Sequence, residues 1–249
     1  MKKIFYASML LLLLASCGTS KHSSLIAHRG YWQTEGSHEN SISSLKNAMA
    51  LRVYGSECDV RQTADGVLVL FHNAKLDDGR VIAEQKFSDL ADYRLPNGEK
   101  IPTFDETLAV MKDAPSGFKL IIEIKSGDVK EIVAAVERHG LQKKVEYIAF
   151  DRNHCLDLIA MGKGLKVSYL ASNKKSAWTP KELKEKGFYG LDYSAGLLKE
   201  NPEWIKEARK LGLDVNVWTV NTPEDVDKFF KMGVDKVTTD IPTLYKNKK

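Results

Sequence analysis

The chain alternates between short runs of apolar, β-branched residues and longer stretches in which apolar positions follow a helical spacing. Eight runs are predicted strands: LIAH from 25, SECDV from 56, KLIIEI from 119, VEYIAF from 145, KVSYL from 166, YGLDYS from 189, DVNVWTV from 214 and KVTTD from 236. Strands that alternate with helices pair in parallel through crossovers. Eight such units in about 230 residues predict a closed (β/α)8 TIM barrel, with an open doubly wound sheet as the alternative.

The stretches between the strands carry helix start and stop signals. Pro180 lies in the first turn of a predicted helix that Gly187 would end, and Thr222 is placed to cap another helix. The regular alternation predicts one large domain over residues 25–249, without internal repeats.

One segment breaks the alternation. VLVLFH at 67–72 follows the second strand too closely for a parallel crossover, so it is predicted to be the return arm of a β-hairpin at the barrel rim. Asp65 and Gly66 favour a two-residue type I′ turn. In that register Asp59 would face His72 across the hairpin, and a bulge would shift the pairing by one residue.

The N-terminus predicts export. MKKIFYASMLLLLLASC has two lysines, an apolar run and small residues before Cys17, which together indicate a signal peptide at 1–16. LASC resembles a bacterial lipobox, in which the cysteine is lipidated and becomes the first residue. We therefore expect a membrane-anchored lipoprotein, facing the periplasm or the cell surface, with residues 17–24 as a tether. An ordinary signal peptide is the alternative.

Composition narrows the class of protein. A hydrophobic content of 43% supports a globular core. Removing Lys2 and Lys3 lowers the formal charge from +4 to +2, which argues against nucleic acid and against a polybasic membrane patch. Cys58 and Cys155 lie in predicted regular elements, so we interpret them as core thiols rather than a disulfide.

Acidic and basic residues recur at the downstream ends of predicted strands, which meet at one rim of a barrel. His28 and Arg29 close the first strand, whereas Glu123 and Lys125 close KLIIEI. Together with Glu57 and Asp59, Glu123 would bring three carboxylates to one place, where they repel one another unless a cation or protons intervene. Oxygen ligands favour Ca²⁺ or Mg²⁺, with Mn²⁺ possible, and no cysteine–histidine cluster suggests structural zinc.

Several ordered motifs resemble the glycerophosphodiester phosphodiesterase family over nearly the whole mature chain. They are AHRG, then HENSISSLKNAMALRVYGSECDVRQTADGVLVLFH, and later EIK, VWTVN and TTD. The resemblance implies a (β/α)8 barrel that hydrolyses glycerophosphodiesters to glycerol 3-phosphate and an alcohol with one divalent cation. It also implies that residues 73–118 form a small inserted subdomain beside the substrate pocket.

The resemblance also assigns roles to residues. It implies metal ligation by Glu57, Asp59 and Glu123, a general acid–base pair in His28 and His72, and phosphate contacts from Arg29 and Lys125. Which histidine is the acid remains open, as does the choice between water and a substrate hydroxyl as nucleophile.

Two further residues are candidates from position alone. Glu39 could cap a helix beginning near Asn40 or orient Arg29, and we favour the supporting role. Trp218 could face either the pocket or the helical layer.

The chain departs from the family pattern at two positions. His38 replaces the usual proline before the EN pair, and Asn73 replaces the usual aspartate after the second histidine. Asn73 could still hold His72 through a neutral hydrogen bond, but it would stabilise a cationic imidazole less than a carboxylate does, which leaves the pH optimum open.

Two alternative functions are compatible with these residues. A related barrel phospholipase acting on lysolipid or sphingolipid headgroups would use much the same groups, although no amphipathic stretch for membrane docking is apparent. A surface lipoprotein that binds phosphorylated headgroups without turnover would not need a matched acid and base. The sequence does not indicate the alcohol, the native metal or the oligomeric state.

Overall fold

The computed structural model describes residues 21–245, in which eight parallel strands close into a barrel surrounded by helices. The strands, including one antiparallel arm at β3, are β1 (Leu25–Ala27), β2 (Gly55–Gln62), β3 (Leu68–Leu70), β4 (Lys119–Ile124), β5 (Val145–Ala149), β6 (Val167–Ala171), β7 (Gly190–Ser194), β8 (Asp214–Trp218) and β9 (Lys236–Thr239). Strand β1 pairs with both β2 and β9, which closes the sheet. The predicted TIM barrel is therefore confirmed, and the open sheet is excluded.

Eight α-helices of the described chain connect the strands. They are α1 (Ile42–Leu51), α2 (Phe104–Met111), α3 (Val129–Arg138), α4 (Arg152–Ala160), α5 (Pro180–Glu185), α6 (Ala195–Glu200), α7 (Glu203–Lys210) and α8 (Pro223–Met232). Pro180 occupies the first turn of α5, and Thr222 caps α8 by accepting a hydrogen bond from the Asp225 N–H. Cys58 and Cys155 are free and buried in the core.

The N-terminal signals fall largely outside the structure. The predicted signal peptide 1–16 and Cys17 lie outside the described residues. The end of the predicted tether is part of the fold, because Lys21–Ser24 forms a 3₁₀ turn and His22 Nε2 lies 2.8 Å from the Leu51 carbonyl oxygen. Within residues 21–245, no helix combines the length and the apolar character needed to cross a bilayer.

The rim hairpin forms, but its predicted register is wrong by one residue. Strands β2 and β3 pair Val60 with Leu70 and Gln62 with Leu68. The Phe71 N–H donates to the Asp59 carbonyl at 3.0 Å, so Phe71, and not His72, faces Asp59.

The shift arises because the loop has three residues instead of two. The Thr63 N–H donates to the Val67 carbonyl at 2.9 Å and encloses residues 64–66. Within this loop only Gly66 has a positive φ, at 87°, whereas a type I′ turn needs two such residues. Asp65 does not adopt one, and its carboxylate accepts hydrogen bonds from Thr63 Oγ1 (2.6 Å) and the Phe87 N–H (3.0 Å).

The predicted insertion at 73–118 divides into two parts. Its first part, to about residue 103, contains short 3₁₀ turns at Ile82–Glu84 and Phe87–Leu90 and shares a separate apolar cluster with β3. The members of that cluster are Val69, Phe71, Leu76, Ile82, Leu90, Tyr93, Leu95 and Ile101. Residues 104–118 instead contain α2, whose apolar side chains join the main core. The two parts of the predicted insertion thus pack in different apolar clusters.

Candidate active site

A cavity of about 210 Å³ opens at the carboxyl ends of the barrel strands. It is lined by His28, Arg29, Glu57, His72, Glu123, Lys125, Ile148, Phe150, Leu170, Asp192, Trp218, Thr219 and Thr238. Two predicted site residues are absent from this lining. Asp59 is buried behind it, with 1% of its surface exposed, and Glu39 contacts Arg29. The barrel therefore brings the predicted site residues together, apart from Cys17, which is not described.

Three buried carboxylates lie side by side at this rim. Glu57 and Asp59 occupy alternate positions of β2 and face the same side, whereas Glu123 is the parallel partner of Asp59 on β4. One oxygen from each residue lies within 4.8 Å of the others. These three residues have the spacing and the donor atoms for a divalent cation.

The protonation behaviour of the carboxylates agrees with a cation site. Burial, followed by the charges of Asp59 and Glu123, raises the pKa of Glu57 well above its ordinary value. Burial and Asp59 likewise raise the pKa of Glu123 to about 7. Glu57 Oε1 is buried and has no hydrogen-bond partner among residues 21–245. An oxygen left in this way is costly, and a hard cation would satisfy it.

Asp59 is held in its ionised form. Asn40 Nδ2 donates to Asp59 Oδ2 at 2.7 Å, and the Asp59 N–H donates to Asn40 Oδ1 at 3.0 Å. Burial alone would raise the pKa of Asp59, but Lys125, the Asn40 hydrogen bond and Arg29 outweigh it, so that this pKa lies below its ordinary value.

Arg29 is fixed at both its backbone and its side chain. Its N–H donates to Glu57 Oε2 at 2.8 Å, and its Nη1 donates to Glu39 Oε2 at 2.7 Å. The turn is tight, because a Cβ on the following Gly30 would lie 2.3 Å from Ser44 Oγ. Glu39 thereby has the geometry to orient the guanidinium toward the cavity.

Lys125 lies between two of the carboxylates. Its Nζ is 2.6 Å from Glu123 Oε1 and 3.3 Å from Asp59 Oδ1. The same ammonium lies 5.9 Å from the ring centre of Phe150. Lys125 therefore brings positive charge to the carboxylates from the cavity side.

His28 belongs to a hydrogen-bonded chain that links β1, β8 and β9. Its Nδ1 lies 2.7 Å from Asp240 Oδ1. Asn221 Nδ2 donates to Asp240 Oδ2 at 2.6 Å, and the Asp240 N–H donates back to Asn221 Oδ1 at 2.9 Å. The Asp240 carboxylate consequently fixes the orientation of the imidazole ring.

His72 reaches the cavity from the segment after β3 and has a neutral partner. Its Nδ1 lies 3.0 Å from Asn73 Oδ1. Arg61 anchors the segment, with Nε 3.1 Å from the Phe71 carbonyl and Nη2 2.6 Å from the His72 carbonyl. Burial is the main reason that the pKa of His72 is lowered from its ordinary value, with Lys125 acting in the same direction.

Trp218 faces the pocket and not the helical layer. Its indole Nε1–H donates to the Asp192 carbonyl at 2.8 Å. Its ring packs edge-on against Phe150, with 5.6 Å between ring centres. These two aromatic side chains form an apolar wall of the cavity.

Four supporting residues received no role from the sequence: Asn40, Arg61, Asn221 and Asp240. Three of them lie in the motifs EN, VWTVN and TTD, so a signal was present. Their partners could not be identified, however, because they are distant along the chain; His28 and Asp240 are 212 positions apart.

Comparison with known proteins agrees with this geometry. The model of the glycerophosphoryl diester phosphodiesterase family matches residues 28–244. A glycerophosphodiester phosphodiesterase from Caldanaerobacter subterraneus is 28% identical over 239 residues, covering 88% of this chain and 94% of the relative.

Solved structures give the same result. A glycerophosphodiester phosphodiesterase from Parabacteroides distasonis is 41% identical with a TM-score of 0.83, over 89% of this chain and 94% of its own. An Oleispira antarctica phosphodiesterase, in complex with its product sn-glycerol 3-phosphate, shares the fold at 23% identity and a TM-score of 0.79, over 88% and 93% of the two chains. The chain belongs to the glycerophosphoryl diester phosphodiesterase family, which confirms the identification made from its sequence motifs.

Proposed function

We propose that the protein hydrolyses glycerophosphodiesters to glycerol 3-phosphate and an alcohol, with His28 and His72 as the general acid–base pair. The observation that carries this proposal is that both histidines line one cavity with Glu57, Glu123 and the cationic groups beside them. A phosphodiester is an anion with a poor alkoxide leaving group. Its cleavage therefore needs charge neutralisation, a base and an acid, and this cavity contains groups of each kind.

The partners of the two histidines support different roles. His28 is paired with the Asp240 carboxylate, which would orient its ring for protonating the departing alcohol. His72 is paired with a neutral amide, and its lowered pKa favours the unprotonated ring. We assign His72 as the base that takes the proton from the nucleophile, whether that is water or the glycerol hydroxyl next to the phosphate.

Arg29 and Lys125 are assigned to the phosphate. Arg29, braced by Glu39, would bind a non-bridging oxygen through its guanidinium. Lys125 would place its ammonium against the same phosphate at the edge of the carboxylate group. A divalent cation held by Glu57, Asp59 and Glu123 would add Lewis-acid stabilisation of the charge that builds up on the phosphate. The donor set favours Ca²⁺ or Mg²⁺, with Mn²⁺ as a further candidate.

One assay tests this function together with its alternatives. The protein is stripped of metal with a chelator and incubated with glycerophosphocholine, glycerophosphoethanolamine or a lysolipid, with and without Ca²⁺ or Mg²⁺. We expect glycerol 3-phosphate from the first two substrates only when a cation is present. Turnover of the lysolipid alone would identify a phospholipase. Binding without turnover in every metal would identify a headgroup-binding protein, and either result would contradict the proposal.

We also propose that the protein is exported and anchored to a membrane through lipid on Cys17. The support is the LASC sequence that ends the predicted signal peptide. In a bacterial host, wild-type protein should incorporate labelled palmitate and fractionate with membranes, and Cys17→Ser should do neither. Membrane fractionation of the variant would contradict the anchor.

A further inference from the structure

The barrel interior around the carboxylates is chemically divided. On the side of β1, β4, β5 and β6 it is apolar, because Ile26, Ile121, Ile148 and Leu170 form one buried cluster there. On the side of β7, β8 and β9 it is polar, with Asp192, Asn216 and Thr238 on adjacent strands. Asp192 and Thr238 line the same cavity as the two histidines. The roles proposed above make no use of this polar side.

Asp192 is rigidly held and poorly satisfied. Its carboxylate accepts one hydrogen bond from residues 21–245, from Asn216 Nδ2 at 2.7 Å, and Asn216 also donates to Thr238 Oγ1 at 2.9 Å. The Asp192 carbonyl is fixed by Trp218. Only 2% of the residue is exposed, and a buried carboxyl with a single partner is expensive unless a ligand supplies further donors.

Asn216 also carries a buried acceptor that lacks a donor. Its Oδ1 is buried and receives no hydrogen bond from the described part of the chain. The polar side of the interior therefore offers hydrogen-bond acceptors that lack donors. Burial raises the pKa of Asp192 to about 7, so this carboxyl can accept a hydrogen bond when ionised and can also donate one when protonated.

Hydroxyl groups are the donors that suit this position. Ile148 and Leu170 of the apolar cluster line the same cavity, and their side chains offer Asp192 no donor. A carboxyl held at a fixed position in the cavity suits the half of the substrate that is the same in every diester, and not the variable alcohol. In a glycerophosphodiester the constant half is glycerol, which carries two free hydroxyls.

We propose that Asp192, positioned by Asn216, binds the hydroxyls of the glycerol half and so makes the enzyme specific for glycerol over unsubstituted alkyl groups. This inference rests on the proposed function. An acyl chain on the glycerol would remove a donor, so the same contact disfavours lysolipids.

The test compares two ligands that differ only in the hydroxyls, glycerol 3-phosphate and n-propyl phosphate. Their inhibition constants are measured against glycerophosphocholine hydrolysis with the divalent cation present. Wild type should bind glycerol 3-phosphate about 10- to 100-fold more tightly, since polar groups built to pair with a hydroxyl reject an analogue that lacks it. In Asp192→Leu this ratio should fall to about 1, through weaker binding of glycerol 3-phosphate alone.

Two further variants make the result decisive. Asp157→Asn, on the exposed face of α4, removes a carboxylate far from the cavity and should keep the wild-type ratio. Asp192→Asn keeps the shape of the side chain and decides the question if the leucine variant does not fold; its ratio should fall at least about threefold.

Each failure has a distinct signature. A folded Asp192 variant that retains the wild-type ratio would overturn the inference. A variant that loses affinity for phosphoethanolamine but not for glycerol 3-phosphate would also overturn it, because that result would place the alcohol half of the substrate at Asp192. Failure of the proposed function would look different, because wild type itself would not hydrolyse glycerophosphocholine.

Discussion

Both ends of the barrel interior contain buried carboxylates, but the two groups are compensated differently. At the amino end, Lys236 Nζ lies 2.8 Å from both Glu146 and Asp214, and the Tyr54 hydroxyl donates to Glu146 at 2.6 Å. At the carboxyl end, Glu57 accepts a hydrogen bond only from the Arg29 N–H within the described chain, and its other oxygen has no partner.

The pKa values express the same contrast. Burial would raise the pKa of Glu146, but Lys236 and Tyr54 outweigh it and lower this pKa below its ordinary value. Burial and neighbouring carboxylates raise the pKa of Glu57 instead. Asp214 is the less satisfied member of the amino-end group, because burial raises its pKa despite Lys236. Burial of charge alone therefore does not mark a functional site; what distinguishes Glu57 is that no cationic side chain among residues 21–245 forms an ion pair with it.

The largest effect should come from removing either histidine at the carboxyl end. His28→Ala or His72→Ala should lower kcat/KM by about 10²- to 10⁴-fold, or roughly 3–5 kcal/mol of transition-state stabilisation, because each removes a proton-transfer group. Thermal unfolding should remain close to wild type. Near wild-type turnover in either variant would remove that residue from the mechanism.

Removing the Lys236 ammonium at the amino end of the barrel should lower stability rather than activity. Lys236→Met leaves Glu146 and Asp214 without their shared partner and should lower the free energy of unfolding by about 3–5 kcal/mol. Urea denaturation measures this loss, and the folded fraction should keep its kcat/KM. An unchanged stability would show that the ion pairs of Lys236 with Glu146 and Asp214 do not stabilise the fold.

The pH dependence of stability should have opposite signs for the carboxylates at the two ends of the barrel. Glu123 has a folded pKa of about 7 against an ordinary value of 4.5, so the folded state keeps a proton that the unfolded state releases in that interval. Metal-free protein should lose roughly 2–3 kcal/mol as the pH rises through this window and then level off. Glu146, whose folded pKa is lowered, contributes stability that is lost as the pH falls through that folded pKa.

Denaturation at pH 5 and pH 7.5 in chelator measures the carboxyl-end contribution. Glu123→Gln should reduce the slope between these values, because it removes one titrating group, whereas Glu57 and Asp192, whose pKa values are also raised, keep part of it. If wild type were flat, or if the variant kept the full slope, the raised pKa of Glu123 would be refuted.

The smallest effect should distinguish the partners of the two histidines. Asp240→Asn gives His28 the same kind of neutral partner that Asn73 provides for His72, and it should reduce kcat by roughly 10- to 100-fold through lost orientation and charge. Asn73→Asp should leave kcat within a few-fold of wild type at neutral pH. Equal losses in the two variants would contradict the assignment of His28 as the acid.

The sequence was sufficient for the fold and for the grouping of the site residues. Strand ends meet at one rim in any parallel barrel, so the positions of Glu57, Asp59 and Glu123 could be predicted from alternation alone. The orientation of Trp218 could not, since it depends on the hydrogen bond to the Asp192 carbonyl and on the packing against Phe150.

The sequence placed His72 in the site although the predicted hairpin register was wrong by one residue. The predicted register placed His72 opposite Asp59, whereas Phe71 takes that position. His72 still reaches the cavity because pairing with β2 ends at Phe71 and Arg61 holds the carbonyl of His72. A side chain from outside the turn decides this path, and no local pattern in ADGV could indicate it.

The most direct test compares a Glu→Gln variant at each end of the barrel and measures how much a divalent cation stabilises it. Addition of Ca²⁺ or Mg²⁺ at 100 times its dissociation constant should raise the unfolding free energy of wild type by about 2.7 kcal/mol, with a matching rise in Tm. Glu146→Gln should lower the starting Tm and keep this rise, whereas Glu57→Gln should keep the starting Tm and lose the rise. A full rise in Glu57→Gln, or its loss in Glu146→Gln, would contradict the placement of the cation site at the carboxyl end of the barrel.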